Sequence, residues 1–252
     1  MVLVNPSPAQ TPILLDQHAL MVGINGAGKS TRMELQVRWR LRRMEAQRTS
    51  PSAYKMIIVD SKPISYGQND DYGHYSHLGG VIYRDWNDID LSKERSRLVI
   101  YRPTDGINNP ENYAGFFDKM LSFRYRNSRG VISPLPMTIV IDELIDIITS
   151  ETRRRTYIEG FTKMLTQGRS SLQTLWILTQ YPTYIDPSIK RNARVNFCFR
   201  LPDQNDRDIM SSVFGSKDLK KPIRARHGFW YMNDAIEATL NNPRYYDGRT
   251  AA

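Results

Sequence analysis

Gly23-Ile24-Asn25-Gly26-Ala27-Gly28-Lys29-Ser30, followed by Thr31, fits the pattern G-x-x-x-x-G-K-[ST] of a phosphate-binding loop. The backbone must turn sharply along this stretch, and glycine follows such a turn with little strain. Successive N–H groups then face inward toward phosphate oxygens, at the point where a helix begins and its dipole favours an anion. Lys29 is expected to neutralise the β- and γ-phosphates as a point charge, and Ser30 to offer its hydroxyl to Mg²⁺. The expected ligand is a nucleoside triphosphate with its metal. The flanks agree: residues 19–22 are apolar and short enough for a buried strand, and residues 31–48 contain neither Gly nor Pro and continue as a helix.

A second apolar run, residues 137–141, is broken only by Thr138 and ends in Asp142-Glu143. A strand buried on both faces delivers the residues after its carboxyl end to the crevice of a parallel sheet. Asp142 is therefore expected to hold the hydration shell of Mg²⁺, and Glu143 to orient and deprotonate the water that attacks the γ-phosphate. A third run, Leu175 to Thr179, ends in Gln180-Tyr181-Pro182, which brings an amide to the same crevice. Gln180 is placed to bond the terminal phosphate or the attacking water and to register its loss.

Gly and Pro divide the rest into alternating apolar runs and longer amphipathic stretches, the rhythm of a parallel sheet flanked by helices. Strands are expected at 19–22, 55–60, 80–83, 98–101, 138–141, 174–179, 195–200 and 228–232, and helices at 29–48, 111–126, 152–167, 187–192 and 205–213. The 252 residues accommodate one large α/β domain, read here as spanning 1–252 with an N-terminal extension over 1–17 and a C-terminal tail over 233–252. Residues 62–79 form the longest stretch without periodicity, a length typical of functional or mobile loops.

Hydrophobic residues make up 40% and charged residues 24%, which excludes a disordered or fibrous chain. Asp16, Gln17 and His18 interrupt one apolar stretch and Asp142, Glu143 and Asp146 another, so no membrane segment is expected. The start shows no basic region leading into an apolar one, and the expected location is the cytoplasm. A single cysteine, Cys198, excludes an internal disulfide. The net charge of +9 favours a polyanionic partner. Arg32, Arg38, Arg40, Arg42 and Arg43 line the first helix, as a solvated face or as a surface for nucleic acid or a neighbouring subunit.

The loop 23–30, the strand ending in Asp142-Glu143, the turn Gly168-Arg169-Ser170-Ser171, the strand end Leu178-Thr179-Gln180-Tyr181-Pro182 and the segment Ser188-Ile189-Lys190-Arg191-Asn192 resemble, in order and spacing, the motifs of the FtsK–HerA superfamily of DNA-pumping ATPases. Asp60-Ser61-Lys62-Pro63 is similar to the Asp-Pro-Lys that often ends that family's second strand, and Tyr181 stands where the family often has Arg. The likeness is strong over residues 20–34 and 138–232 and weak over about 66–136. It implies a RecA-like core (the ASCE class of P-loop NTPases), ATP as the nucleotide, and a homo-oligomeric ring of five or six subunits that drives double-stranded DNA through its centre. It also implies that Arg169 is an arginine finger reaching a neighbour's site, with Arg191, Arg194 and Arg200 as rivals.

Lys217, Lys220, Lys221, Arg224 and Arg226 are the expected DNA contacts, and Tyr72, His74, Tyr75 and His77 a second set. The size of the chain resembles the genome-packaging ATPases of viruses and bacteriophages, which dock on a portal or capsid vertex. A plasmid-transfer, conjugation or DNA-segregation pump shares the mechanism. A P-loop kinase or a nucleotide-dependent scaffold stands further off, and no Ser-Gly-Gly signature of an ABC-type ATPase precedes the Asp-Glu strand.

Overall fold

The short aliphatic runs become strands because their side chains are covered on both faces. Residues 19–22, 56–59 and 139–141 are each 0% exposed. In the computed structural model, which describes residues 2–4, 11–61, 75–103, 110–127, 129–144, 159–225, 227–233, 236–241 and 244–246, these runs assemble into one nine-stranded sheet. The strands are β1 (Val2–Val4), β2 (His18–Val22), β3 (Lys55–Val59), β4 (Val81–Tyr83), β5 (Leu98–Tyr101), β6 (Arg124–Arg126), β7 (Ile132–Pro134), β8 (Met137–Ile141), β9 (Gln173–Thr179), β10 (Ala193–Phe199), β11 (Phe229–Asn233), β12 (Ile236–Asn241) and β13 (Arg244–Tyr246). The helices are α1 (Lys29–Ala46), α2 (Pro110–Ser122), α3 (Glu159–Gln167), α4 (Pro187–Asn192) and α5 (Gln204–Phe214).

The large sheet runs β12-β11-β10-β2-β9-β8-β3-β5-β4. All pairs from β10 to β4 are parallel, and β11 and β12 extend the β10 side in antiparallel fashion. Alternate residues sort the core into two layers. Leu20, Val22, Ile139 and Ile177 join the helix residues Phe116, Phe117 and Met164 on one face. Ala19, Met21, Val140 and Trp176 join Met33 and Val37 of α1 on the other.

Two expectations are corrected. The helix expected over 111–126 stops at Ser122, and Arg124–Arg126 instead pairs antiparallel with Ile132–Pro134. Asn127 decides this, because its Oδ1 accepts from the N–H groups of Arg129 and Val131, and Gly130 (φ +77°) lets the chain reverse. The tail is not outside the sheet: Ile236–Asn241 joins it, and Arg244–Tyr246 pairs with Val2–Val4 from the opposite end of the chain. Residues 152–158 of the expected third helix lie outside the described residues.

The arginine face of α1 divides, with Arg42 and Arg43 exposed and two others not at the surface. Arg32 and Arg40 are 2% and 3% exposed. Their guanidinium groups bond Thr11 Oγ1 and the Ile13 carbonyl, and Gln36 Nε2 donates to the Thr11 carbonyl at 2.7 Å. Arg32 lies over Phe197 and Phe229, and Arg40 over Trp176, so aromatic faces of the sheet hold both cations beneath the N-terminal segment. Arg38 pairs instead with Glu34, one turn earlier on the helix.

His18 opens β2 and is 0% exposed. The Leu175 N–H donates to its Nδ1 at 2.9 Å, a bond that requires the ring neutral. Burial first, and then the charge of Arg169, push its pKa down from 6.5 to about 4. The unfolded chain therefore takes up a proton before the folded one does, and up to about 3 kcal/mol of stability is lost as pH falls from about 6.5 to 4. Denaturant melts across that window should show the loss. His18→Asn, which retains an acceptor and cannot titrate, should remove it from the profile, and parallel pH profiles for the two proteins would count against a neutral, structural His18.

Candidate functional site

Three strand ends converge at the carboxyl edge of the sheet. β2 leads into the loop 23–30, β8 ends at Asp142-Glu143, and β9 ends at Gln180. The loop is held at its root, where the Gly23 N–H donates to the Thr179 carbonyl of β9 and the Ile24 N–H to the Arg200 carbonyl beyond β10, both at 3.2 Å. Gly26 (φ +72°) and Gly28 (φ +100°) take left-handed backbone angles, the conformation for which the sequence reserves glycine. Gly28 is the N-cap of α1, where no side chain caps the helix and no acid lies in the first turn. The electropositive helix start is thus left for an anion.

Lys29 is 7% exposed and donates Nζ to the Gly23 carbonyl at 2.5 Å and the Ile24 carbonyl at 3.2 Å. This curls the ammonium back over the loop that it is expected to serve. Ser30 Oγ donates to Asp142 Oδ1 at 3.1 Å across 112 residues of sequence. A hydroxyl and a carboxylate oxygen in contact at the mouth of a phosphate loop are the hard oxygen donors that suit Mg²⁺. Glu143 is 6% exposed and accepts from the Gln180 backbone N–H at 3.3 Å, so the expected base and the expected γ-phosphate sensor are neighbours. Asn25, Ala27 and Thr31 complete the expected loop set, and Ala27 is buried at 3% exposure.

Around this edge lie two residues that the sequence reading did not single out, Arg102 and His227, and two that it did, Asp60 by its motif and Tyr75 for another role. Tyr75, expected as a DNA contact, is 0% exposed and donates its hydroxyl to Asp142 Oδ1 at 2.5 Å. Burial and the Asp142 charge push its pKa well above the usual phenol value, so it remains a donor. Asp60 and Arg102, just past β3 and β5, form a pair in which both side chains are 2% exposed, with Nε and Nη2 at 3.0 and 2.8 Å from Oδ2. His227 packs its ring against Gly28, where an added Cβ would lie 3.2 Å from Nδ1. His77, also expected at DNA, pairs with Glu34 of α1 at 2.9 Å. Tyr72 and His74 lie outside the described residues.

The remaining cations lie elsewhere. Arg169 precedes β9, and its Nε donates to the Asp16 carbonyl just before β2, at the amino-terminal edge of the sheet. The seven residues of β9 separate it from Gln180 by roughly 20 Å, beyond reach of its own site. Arg200 adjoins the loop of its own chain through its carbonyl, whereas Arg191 and Arg194 line a groove of about 540 Å³ with Lys190 and Lys217 at the opposite edge. Of the expected DNA contacts, Lys220 is paired with Asp208 at 3.3 Å and Lys221 with Asp218 at 2.5 Å. Lys217 lines the groove, Arg224 is exposed, and Arg226 lies outside the described residues.

A polar-ended strand inserted between the phosphate-loop strand and the acid strand makes this a RecA-like P-loop NTPase fold. No family model and no curated protein matches the sequence. Solved structures do match it. The genome packaging NTPase B204 from Sulfolobus turreted icosahedral virus 2, in complex with ATP-gammaS, is similar with a TM-score of 0.63 at 14% identity, over 92% of this chain and 100% of that one. The pCW3 conjugation coupling protein TcpA, in its monomer form with ATPgS, gives 0.57 at 20% identity over 98% and 66%. EssC (ATPases 2 and 3) from Geobacillus thermodenitrificans gives 0.56 at 14% over 96% and 43%. Among the described residues no helix is long and apolar enough to cross a membrane.

Proposed function

We propose that this protein is an ATP-driven translocase of double-stranded DNA, of the genome-packaging kind, working as a homo-oligomeric ring. The observation that carries the reading is the contact between Glu143 and the end of β9 beside the loop 23–30, which brings the residues proposed as base and sensor to the same sheet edge as the loop. The similarity to B204, a genome packaging NTPase, supports the same reading. TcpA, a conjugation coupling protein matched over 98% of this chain, keeps conjugative transfer as the second reading.

In this mechanism the loop N–H groups and Lys29 bind the triphosphate, and the left-handed glycines keep those donors pre-aimed. Ser30 and Asp142 would hold Mg²⁺, which when bound neutralises charge on the phosphate oxygens. Glu143 takes a proton from the attacking water as its oxygen bonds the γ-phosphorus, and the bridging oxygen leaves with ADP. Gln180 orients that water through its amide. Arg169, too far from its own nucleotide, acts on the site of the next subunit, which makes hydrolysis a property of the ring. Duplex DNA is held through its phosphates by Lys217, Lys220, Lys221, Arg224 and Arg226, contacts that do not read sequence.

The test is phosphate release with and without duplex DNA, alongside displacement of a third strand annealed to the duplex. Stimulated hydrolysis and displacement, both lost in Lys29→Ala, are expected. Hydrolysis indifferent to DNA would remove the motor, phosphate recovered on an acceptor would make the protein a kinase, and binding without turnover would make it a scaffold.

A further inference from the structure

The turn that begins at Tyr75 touches both halves of the proposed site. Tyr75 is 0% exposed, its ring sits in the core layer with Ala27 and Met33, and its hydroxyl reaches Asp142 Oδ1. Two residues on, His77 Nε2 meets Glu34 Oε1 on the second turn of α1, the helix that the phosphate loop opens into. One short turn is thus fastened to the acid strand through Tyr75 and to the nucleotide helix through His77. Asp142 Oδ1 receives two hydroxyls, from Ser30 and from Tyr75. An ionised carboxylate offers about four acceptor positions. Ser30 is on the loop and is expected to turn to the metal, whereas Tyr75 is locked in the core.

We infer that Tyr75 is a positioning residue for the metal site, fixing the plane of the Asp142 carboxylate so that it meets the cation without first having to be ordered. The inference rests on the reading of Ser30 and Asp142 as the Mg²⁺ pair and extends it to a residue that touches neither metal nor nucleotide. Hydrogen-bond partners of this kind typically alter metal affinity by about 10–100-fold when removed. The long β3–β4 connection thereby gains a part in catalysis, since its end is where the support comes from.

Tyr75→Phe retains the ring and removes only the hydroxyl. Free Mn²⁺, followed by electron paramagnetic resonance during titration of protein with ADP present, reports metal affinity without turnover. A fluorescent ADP analogue in EDTA reports nucleotide binding without metal. The expected result is Mn²⁺ affinity lowered about 10–100-fold, with metal-free nucleotide affinity and metal-free melting temperature close to wild type. A purely structural tyrosine would lower all three together and overturn the inference, as would Mn²⁺ affinity that stays level or rises in the variant. If the wild type binds no Mn²⁺ with ADP, the metal pair itself is wrong and the role of Tyr75 falls with it. Should Tyr75→Phe fail to fold, Tyr75→Met, which fills the same core position without a hydroxyl, takes its place, and unchanged Mn²⁺ affinity there would overturn the inference too.

Discussion

Glu143→Gln is expected to bind ATP as tightly as the wild type and to lower kcat by about 10²–10⁴-fold. The side chain is 6% exposed and already accepts a hydrogen bond from the Gln180 N–H. The amide oxygen of glutamine can retain that bond, so the local structure is preserved while the capacity to take a proton from water is lost. The expected factor corresponds to about 3–5 kcal/mol on the barrier. A single-turnover measurement of phosphate release, beside a titration with a fluorescent ATP analogue, separates chemistry from binding. A fall of less than tenfold in the chemical step would remove Glu143 from the role of base.

The largest effect on stability is expected at the Asp60–Arg102 pair. Both side chains are 2% exposed, and the guanidinium engages Oδ2 through Nε and Nη2. Arg102→Met leaves a carboxylate buried without its cation, which typically costs about 3–5 kcal/mol. The double variant Asp60→Leu/Arg102→Met removes both charges and should recover much of that loss. Urea unfolding of the two variants and the wild type tests the ordering. A single variant within about 1 kcal/mol of the wild type would mean that water or another cation reaches Asp60.

These two residues also illustrate what the sequence could and could not tell. Glu143 was legible because its neighbours carry its meaning: an apolar strand, two acids and an upstream glycine loop are local patterns with physical reasons. Gln180 was picked out for the same reason, and the order of β2, β9 and β8 puts the two residues at one sheet edge. Arg102 had no such context. Its partner is 42 residues away and the bond exists only because β3 and β5 lie side by side. Tyr75 was hidden similarly, 67 residues from Asp142 in an aperiodic stretch where an aromatic residue reads as a surface contact.

Helix periodicity misled at Arg32 and Arg40, since it treats arginine on the polar face as solvated. What buries Arg32 and Arg40 is a floor of aromatic rings from Trp176, Phe197 and Phe229, contributed by three other strands. Other misses had local signs. Asn127 and Gly130 mark the turn that ends the helical reading, and Ile236, Ala238 and Leu240 alternate as a strand should.

All of this depends on a triphosphate lying on the loop 23–30 with its last phosphate toward Glu143. A crystal structure of Glu143→Gln grown with ATP and Mg²⁺ examines that directly. The expected result is intact ATP with its β- and γ-phosphates on the loop N–H groups and Lys29, and a metal between Ser30 and Asp142. ATP bound elsewhere, or a loop that remains empty at saturating nucleotide with Ser30 still donating to Asp142, would contradict it.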